Sequence, residues 1–368
     1  METSVDVFVI GGGPAGLAAA IAARQHGFSV MVAEPNTPGA DKACGEGIMP
    51  EGVEALERLG VRFPAADARP FHGIRFLHGN VAAEGRFHCL RGLGIRRTTL
   101  HRTLAQRAEE CGVHLLWRTP AKDVTGDSVR LPWGTVRSRW ICVADGSRSR
   151  VRRAIGLEPP SPDSPRYASR RHFRVHPWTD CVEVYWAAGR QVYSSPVGDE
   201  EVCIGMISRA QGDRIEEALS AFPELAARLA GAEPVSAHRG AMTHMQRLPR
   251  VYRGRMALLG DASGMVDAIS GFGLSMAFQQ AHALAAAIAE GDLAQYEREH
   301  RRIRQRPAFF ARLMLMMTER PVLQRKVVRT FADEPRTFRR MVGFHVAPAS
   351  VTDYARDGLR FGWRLVTA

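Results

Sequence analysis

Three glycines near the start of the chain are spaced as in loops that bind a dinucleotide. Gly11, Gly13 and Gly16 follow an apolar run and form the pattern G-x-G-x-x-G. The first glycine permits a tight turn, the second lets the backbone approach a pyrophosphate, and the third allows close helix–strand packing. Glu34 follows at the distance, about 20 residues, where a carboxylate accepts hydrogen bonds from ribose hydroxyls. These residues predict a dinucleotide site.

Two later segments place a carboxylate beside a glycine at the end of an apolar run. They are Asp145-Gly146 and Gly260-Asp261. Open α/β sheets bind ligands outside the carboxyl ends of their strands, so both turns are expected at the same edge as the glycine loop. One glycine-rich loop is a weak signal, but three segments that can meet around one ligand are a specific one.

The elements that position these residues alternate between strand and helix. The run at 5–10 is apolar except for Asp6, as in a parallel strand buried on both faces. Pro14 fits the first helical turn, so the helix N-terminus at Pro14 and Ala15 is expected to face the phosphates. The remaining predicted elements of this part are helix 15–25, strand 28–33, short strands in 71–91, helix 97–112, strand 113–118, hairpin 124–139, strand 140–144, strand 255–260 and helix 271–290 with Gly291 as its cap.

The middle of the chain changes character. Residues 158–165 contain four prolines and predict a loop. Four β-type runs follow, separated by turn-like residues at 188–190 and 198–200, and they predict an antiparallel meander. The runs are 167–175, 181–187, 191–196 and 202–207. A helix is predicted over 213–230. This region is expected to form a substrate-binding sheet.

The tail, residues 295–368, is predicted to be helical and basic. Residues 298–306 are strongly cationic, and residues 309–317 are apolar and rich in methionine. One interpretation is a C-terminal helix that packs its apolar face on the substrate domain. The other is an interfacial helix, or a lid over a hydrophobic substrate.

Charge and cysteine content limit the class of protein. The net charge of +12 comes almost wholly from arginine, since the only lysines are Lys42, Lys122 and Lys326. It suits a phosphorylated cofactor, an acidic substrate or an anionic membrane surface. No recognised motif indicates nucleic-acid binding. The six cysteines have no metal-ligand spacing, so we expect reduced thiols, no metal and a cytoplasmic protein. We also expect a monomer or a homodimer.

In these motifs and in their order, residues 5–290 resemble the flavoprotein superfamily of aromatic-ring hydroxylases and geranylgeranyl reductases. The resemblance implies FAD as the cofactor. Asp145 and Gly146 match its Asp-Gly turn, and Gly260 and Asp261 match the motif that holds the ribityl chain. Arg97 matches an arginine that contacts FAD. Gly271, Gly273 and Leu274, at the start of the helix after the Gly-Asp motif, are also expected to bind the cofactor.

The resemblance also implies the architecture. We expect an α/β protein with a Rossmann-like FAD-binding domain of the GR2 type, interleaved with an antiparallel substrate sheet. The FAD-binding domain is assigned to residues 1–70, 95–160 and 246–295, the substrate domain to 71–94 and 161–245, and the C-terminal helical region to 296–368. No second G-x-G-x-x-G follows a later strand, so NADH or NADPH is expected as a transient reductant.

Features of the two branches are mixed in this chain. The loop at 42–48, which contains Cys44 and Gly45, resembles the Cys-Gly loop of geranylgeranyl reductases and is expected beside the flavin ring. That branch commonly has Tyr-x-Trp-x-Phe-Pro, whereas residues 191–196 read Gln-Val-Tyr-Ser-Ser-Pro. Ala268 also stands where a proline is usual. The tryptophan-containing motif of the related flavin halogenases is missing.

Two reactions therefore stay open. The first is NAD(P)H-driven hydroxylation of a hydrophobic aromatic, polyketide-like or lipid-quinone substrate through a flavin C4a-hydroperoxide. The alternative is reduction of an isoprenoid or other carbon–carbon double bond. Cys44 and Tyr193 are the catalytic candidates, and peripheral membrane contact through the basic C-terminal helices is a further expectation. Other candidates for a general base are His72, His78, His88, His172, His238 and Tyr185.

Overall fold

A parallel sheet, an antiparallel sheet and a helical tail account for most of the chain. The computed structural model describes residues 3–159, 164–187 and 189–346. The strands, in chain order, are β1 (Thr3–Ile10), β2 (Val30–Glu34), β3 (Gly47–Ile48), β4 (Ala68–Phe71), β5 (Gly73–His78), β6 (Val81–Arg86), β7 (Gly92–Ile95), β8 (His114–Trp117), β9 (Asp123–Thr125), β10 (Ser128–Leu131), β11 (Gly134–Val143), β12 (Arg166–Arg174), β13 (Val182–Ala187), β14 (Arg190–Gly198), β15 (Glu201–Ser208), β16 (Glu233–Pro234), β17 (Arg239–Thr243), β18 (Tyr252–Arg253) and β19 (Met256–Leu258).

The helices connect these strands and form the tail. They are α1 (Pro14–Gln25), α2 (Pro50–Arg58), α3 (Arg97–Glu110), α4 (Arg150–Ala154), α5 (Ile215–Ala218), α6 (Pro223–Arg228), α7 (Gly273–Glu290), α8 (Leu293–Thr318), α9 (Pro321–Asp333) and α10 (Pro335–Val346). Gly291 ends α7 in the left-handed conformation, φ 76°, as a C-cap glycine does.

The first sheet is built on β1, which lies between β2 and β11 and runs parallel to both. β8 extends it beyond β2, and β19 extends it beyond β11. Side chains of β1 alternate between two cores: Val7 and Val9 join a cluster with α1, α3 and α7, while Phe8 and Ile10 join a cluster on the opposite face. Burial on both faces explains why the second half of β1, residues 7–10, is apolar throughout.

One boundary in this sheet differs from the prediction. The sequence separates a hairpin over 124–139 from a strand over 140–144, but the structure joins them in β11. Residues 134–137 pair antiparallel with β10, and residues 136–143 pair parallel with β1. A strand can serve two partners in this way because its two edges form independent ladders.

The second sheet is largely antiparallel and has the order β16-β12-β15-β14-β13-β5-β6, with β17 on the free edge of β12. The predicted meander is right for β13, β14 and β15 but wrong for β12. That strand pairs with β15, while β13 pairs in parallel with β5. Residue 188 and residues 160–163 of the predicted turn and proline-rich loop lie outside the described residues.

Helices cover both faces of the second sheet. On one face, Tyr185 and Ile204 pack against α5 and α6. The predicted helix over 213–230 is wrong as a single element, because Phe222 leaves helical geometry ahead of Pro223. On the other face, Val184 and Trp186 pack against the tail helices.

The tail helices therefore pack their apolar faces on the second sheet. Phe331 and Phe338 stack at 4.5 Å between ring centroids, and both rings contact Phe76 of β5. The packing interpretation of the tail is confirmed for α8 to α10, whereas residues 347–368 lie outside the described residues. β3, β4 and β7 form a small third sheet. The α/β class with two sheet types is also confirmed, while the domain boundaries stay a prediction.

The glycine loop is compressed against its surroundings. Gly11 has a φ of 102°, and a Cβ there would lie 2.4 Å from the carbonyl oxygen of Ala144. A Cβ at Gly16 would lie 1.8 Å from the carbonyl oxygen of Gly11. A Cβ at Gly13, in contrast, would meet no atom within 4 Å.

We therefore expect Gly16→Ala to lower the free energy of unfolding of the cofactor-free protein by roughly 1–3 kcal/mol, because the added methyl group forces α1 away from β1. The control, Gly13→Ala, should stay within about 1 kcal/mol of the native protein, since its methyl group faces open space. Urea denaturation followed by circular dichroism measures both. Equal losses in the two variants would contradict this account of the loop.

Candidate active site

A cavity of about 770 Å³ lies between the carboxyl edge of the first sheet, the second sheet and the tail helices. Most of the residues predicted to form the site lie in its wall. They are Gly13, Pro14, Ala15, Cys44, Gly45, Arg97, Asp145, Gly146, Tyr193, Gly260, Asp261, Gly271, Gly273 and Leu274. Gly11, Gly16 and Glu34 lie behind this wall, where they shape and support the glycine loop.

The N-terminus of α1 faces the cavity with its backbone exposed to a ligand. Gly13 is the N-cap residue, and no side chain caps the helix. Glu34 holds the loop from behind, since its Oε2 accepts a hydrogen bond of 2.8 Å from the N–H of Gly12. His101 holds it from the other side, with Nε2 2.8 Å from the carbonyl oxygen of Gly12. A fixed, uncapped helix N-terminus suits a pyrophosphate. The ribose-binding role of Glu34 stays a prediction.

Asp145 lies in the cavity wall, and its two carboxylate oxygens differ in their contacts. Oδ2 accepts a hydrogen bond of 3.0 Å from the N–H of Arg150, at the start of α4. Oδ1 is buried and has no hydrogen-bond partner within the described residues. A buried oxygen without a partner is costly unless a ligand supplies a donor. Gly146 follows in the left-handed conformation, φ 88°, and turns the chain along the cavity.

Arg97 places a buried positive charge in the wall. It is the first residue of α3, and its Nη1 is buried without a hydrogen-bond partner among the described residues. Desolvation lowers the pKa of its guanidinium, although Cys44 and Glu46 oppose the shift. An anionic or oxygen-rich ligand in the cavity would satisfy this group.

The Gly260-Asp261 turn closes the same end of the cavity. Gly260 has a φ of 59°, and a Cβ there would lie 2.8 Å from the Cβ of Ala15. Its N–H donates to Oε1 of Gln280 on α7 at 2.8 Å, while the side chain of Asp261 is exposed to the cavity. The N-terminus of α7 begins beside it at Gly273. This end of the cavity thus combines two helix N-termini, a buried arginine and a carboxylate oxygen of Asp145 that has no partner among the described residues. These groups match a diphosphate joined to a polyhydroxylated chain, which FAD contains.

The Cys44 loop lies opposite, between the two sheets. Gly45 approaches Tyr193 of β14 so closely that a Cβ would lie 3.1 Å from the ring. The neighbouring strand β15 also leaves room for this ring, because Tyr193 pairs there with Gly205. A Cβ at Gly205 would lie 2.2 Å from the ring of Tyr193. Desolvation raises the pKa of the Cys44 thiol and of the Tyr193 hydroxyl. Both groups therefore stay protonated near neutral pH and can donate a proton or a hydrogen bond.

A buried hydrogen-bond network fixes this loop. Glu46 has a positive φ of 59°, which is uncommon for a residue with a side chain, and it is 1% exposed. Its Oε1 accepts from the N–H of Arg97 at 2.9 Å, and its Oε2 lies 2.6 Å from Nε2 of His172 on β12. Nδ1 of His172 lies 2.7 Å from Oγ of Ser236. The carboxylate of Glu46 thus joins the cofactor end of the cavity to the second sheet.

Arg170 and Asp41 complete the network. Arg170 is buried and forms an ion pair with Asp41. Its Nε lies 3.9 Å from Oε1 of Glu46. Cys203 is also close, since the ligating atoms of Glu46, His172 and Cys203 lie within 4.8 Å of one another. The hydrogen bond explains why His172 lies close to Glu46. The prediction that the protein binds no metal stays untested.

Sequence reasoning did not identify Glu46, Arg170 or Asp41 as site residues. Glu46 lies inside the predicted Cys-Gly loop, but its partner His172 is 126 residues away and was only one of several candidate bases. Two other candidates, Tyr185 and His238, hydrogen-bond to Glu183 and Glu216 and do not line the cavity. The available signal was the position of Glu46 between Gly45 and Gly47, because a carboxylate in a tight glycine loop is unusual.

Comparison with known proteins agrees with this geometry. The profile described as an FAD binding domain matches residues 4–299, and the chain belongs to this family. A menaquinone reductase of Mycolicibacterium smegmatis is 28% identical over 323 residues, covering 80% of this chain and 79% of the relative. A digeranylgeranylglycerophospholipid reductase of Methanothermobacter thermautotrophicus is 27% identical, covering 81% and 82%. A para-nitrophenol 4-monooxygenase of Pseudomonas sp. strain WBC-3 is 27% identical, covering 78% of each.

Solved structures show the same fold. A flavoprotein/dehydrogenase of Cytophaga hutchinsonii superposes with a TM-score of 0.79 at 21% identity, covering 93% of this chain and 92% of that one. The resemblance to the superfamily of ring hydroxylases and geranylgeranyl reductases is therefore confirmed. The protein is a flavin-dependent oxidoreductase, and the assignment of individual residues to the cofactor stays a prediction.

We expect Glu46→Ala to lower the free energy of unfolding by roughly 3–5 kcal/mol, because it leaves buried partners of a charged group unsatisfied. It should also shift the absorption bands of bound FAD, since the Cys44 loop loses its anchor. The control is Glu233→Ala, which removes the exposed ion pair with Arg174 and should cost less than about 1 kcal/mol. Denaturant titration and flavin absorption spectra measure both effects. A Glu46→Ala protein with native stability and a native spectrum would refute the anchoring role.

Proposed function

We propose that this flavin-dependent oxidoreductase is an NAD(P)H-driven monooxygenase that hydroxylates a hydrophobic aromatic, polyketide-like or lipid-quinone substrate. The observation that carries the proposal is the division of one cavity into two chemically different ends. The cofactor motifs line one end, and a chamber of aromatic, aliphatic and methionine side chains forms the other. The substrate must match the second end.

The chamber is built by the second sheet and the tail helices. Its sheet wall includes Phe76 and Val184, and its helical wall includes Met314, Phe331 and Phe338. All five side chains belong to or pack against one apolar cluster. A chamber of this composition holds little water and orients an apolar molecule mainly by its shape.

The residues of the chain have separate tasks in this proposal. Arg97, Asp145 and Asp261 with the two helix N-termini hold FAD, which supplies electrons from NAD(P)H to O₂ when it is bound. The apolar chamber excludes water and holds the ring of the substrate close to the cofactor end. One oxygen atom of O₂ enters the substrate as a hydroxyl group, and the other leaves as water with the electrons of one NAD(P)H.

Specific observations favour a second candidate, which is reduction of a carbon–carbon double bond. Addition of hydride to such a bond requires a proton at the other carbon. Cys44 and Tyr193 line the cavity, and desolvation keeps both protonated. Two of the relatives are named as reductases, of menaquinone and of a digeranylgeranyl lipid. Under this candidate the apolar chamber would hold an isoprenoid chain.

Dependence on O₂ separates the two reactions. Purified holoenzyme would be incubated with NADPH or NADH and either 4-dodecylphenol or geranylgeraniol, with and without air. We expect a product of 4-dodecylphenol with one added oxygen atom, and labelled ¹⁸O₂ should supply that atom. Mass spectrometry of the extracts checks both. Saturation of geranylgeraniol without air, with no oxygenated phenol in air, would overturn the proposal in favour of the reductase.

The reductase candidate makes its own prediction. If Cys44 or Tyr193 donates the proton, Cys44→Ala or Tyr193→Phe should lower kcat for double-bond reduction roughly 10²–10⁴-fold. FAD content and KM should change much less, and solvent D₂O should slow the native enzyme. Single-turnover reduction under argon measures the step directly. Native rates in both variants would remove these residues as proton donors.

A further inference from the structure

We propose that the outer face of α8 and α9 docks on an anionic lipid bilayer, and that the substrate enters the cavity from that bilayer. This inference rests on the proposed hydrophobic substrate and adds where the enzyme finds it. It is carried by exposed apolar side chains on α8 and α9, by arginines that form no ion pair among the described residues, and by the part of the cavity wall that these helices supply.

Exposed apolar side chains are concentrated on these two helices. Phe309 and Met316 are 49% and 41% exposed, and they lie two turns apart on the same face of α8. Val322, 72% exposed, lies in the first turn of α9, directly after the short connection between the helices. Three large exposed hydrophobic residues within fourteen positions form an apolar ridge that water does not favour.

Arginines flank this ridge. Arg312 lies between Phe309 and Met316 on α8, and Arg320, Arg325 and Arg329 follow on and before α9. All four are exposed, and none forms an ion pair with a carboxylate among the described residues. Glu319, which precedes Arg320, is instead paired with Arg209. Asp333, four residues after Arg329, is the acidic residue of α9, so the ridge keeps a net positive charge, which is complementary to anionic lipid headgroups.

The mouth of the cavity opens on the same side. Met316 belongs both to the exposed ridge and to the cavity wall. Met242 of β17, 39% exposed, also lines the cavity and forms another part of its rim. Leu313 and Leu323, on the inner sides of α8 and α9, continue the apolar lining inwards. A lipid-like molecule can therefore pass from the ridge to the chamber along apolar surface.

The charge pattern selects a bilayer as the occupant of this face. Apolar side chains interleaved with arginines on the outer face of two helices are typical of helices that lie in the plane of a membrane interface. None of the helices in the described residues is long and apolar enough to span a bilayer. The proposed contact is therefore peripheral, through the ridge.

Vesicle co-sedimentation tests the proposal with the intact holoenzyme and no substrate, so the result does not depend on the reaction catalysed. We expect binding to vesicles of phosphatidylglycerol and phosphatidylcholine at low salt, and much weaker binding to phosphatidylcholine alone. Phe309→Glu combined with Val322→Glu should lower the bound fraction at least about fivefold, because it removes apolar area and adds repulsive charge. Neither side chain lines the cavity.

The matched control replaces Leu90 and Trp133, which are exposed by 42% and 56% and lie on connections between strands, outside α8 and α9. The Leu90→Glu, Trp133→Glu protein has the same change in charge and should bind vesicles as the native enzyme does. Equal losses in the two double variants would show a general charge effect and overturn the proposal. So would native binding by the ridge variant.

A second copy of the chain is the competing occupant of the ridge. Sedimentation velocity without vesicles detects it. A native dimer that Phe309→Glu with Val322→Glu converts to a monomer would assign the ridge to self-association and overturn the membrane proposal. Vesicle binding combined with failure of every oxidation assay would leave the docking surface standing and refute only the proposed reaction.

Discussion

The carboxylate of Glu46 is the connection on which the site depends. It is buried, its backbone has a positive φ, and it binds the first N–H of α3 and the imidazole of His172 on the second sheet. Such a group is stable only when every partner is in place, since an unpaired buried charge costs several kcal/mol. The start of α3, the Cys44 loop and the second sheet are therefore connected through this carboxylate.

The cavity that this connection organises is polar at one end and apolar at the other. The polar end combines helix dipoles, a desolvated arginine and a carboxylate oxygen of Asp145 that has no hydrogen-bond partner among the described residues. The apolar end takes part of its wall from the tail, which packs on the second sheet through Phe331 and Phe338. The tail thus both completes a hydrophobic core and lines the cavity, which confirms the packing interpretation of its sequence, while its role as a lid or an interfacial helix stays a proposal.

Elements whose signal is local were predicted well. β1, α1 and α7 follow from an apolar run, a proline at a helix start and a glycine at a helix end, each of which acts within a few residues. The errors concern pairing. The continuity of β11, the separation of β12 from β13 and the break before Pro223 depend on which strand is the neighbour and on which turn the core tolerates. Periodicity carries no information about neighbours.

The sequence by itself determined the flavin-binding class, because the tight glycine loop leaves no room for a side chain at Gly11 and Gly16, where the backbone of Ala144 and of Gly11 lies too close. The assignment of individual residues to the cofactor stays a prediction. Tertiary structure alone decided that Glu46 meets His172, that Tyr193 lies between two glycines, and that α8 and α9 present both the chamber wall and an exposed ridge. The contact between Glu46 and His172 joins residues 126 positions apart, and the contact between Gly45 and Tyr193 also joins distant parts of the chain. They arise from the packing of one sheet on another, a long-range property that no local pattern encodes.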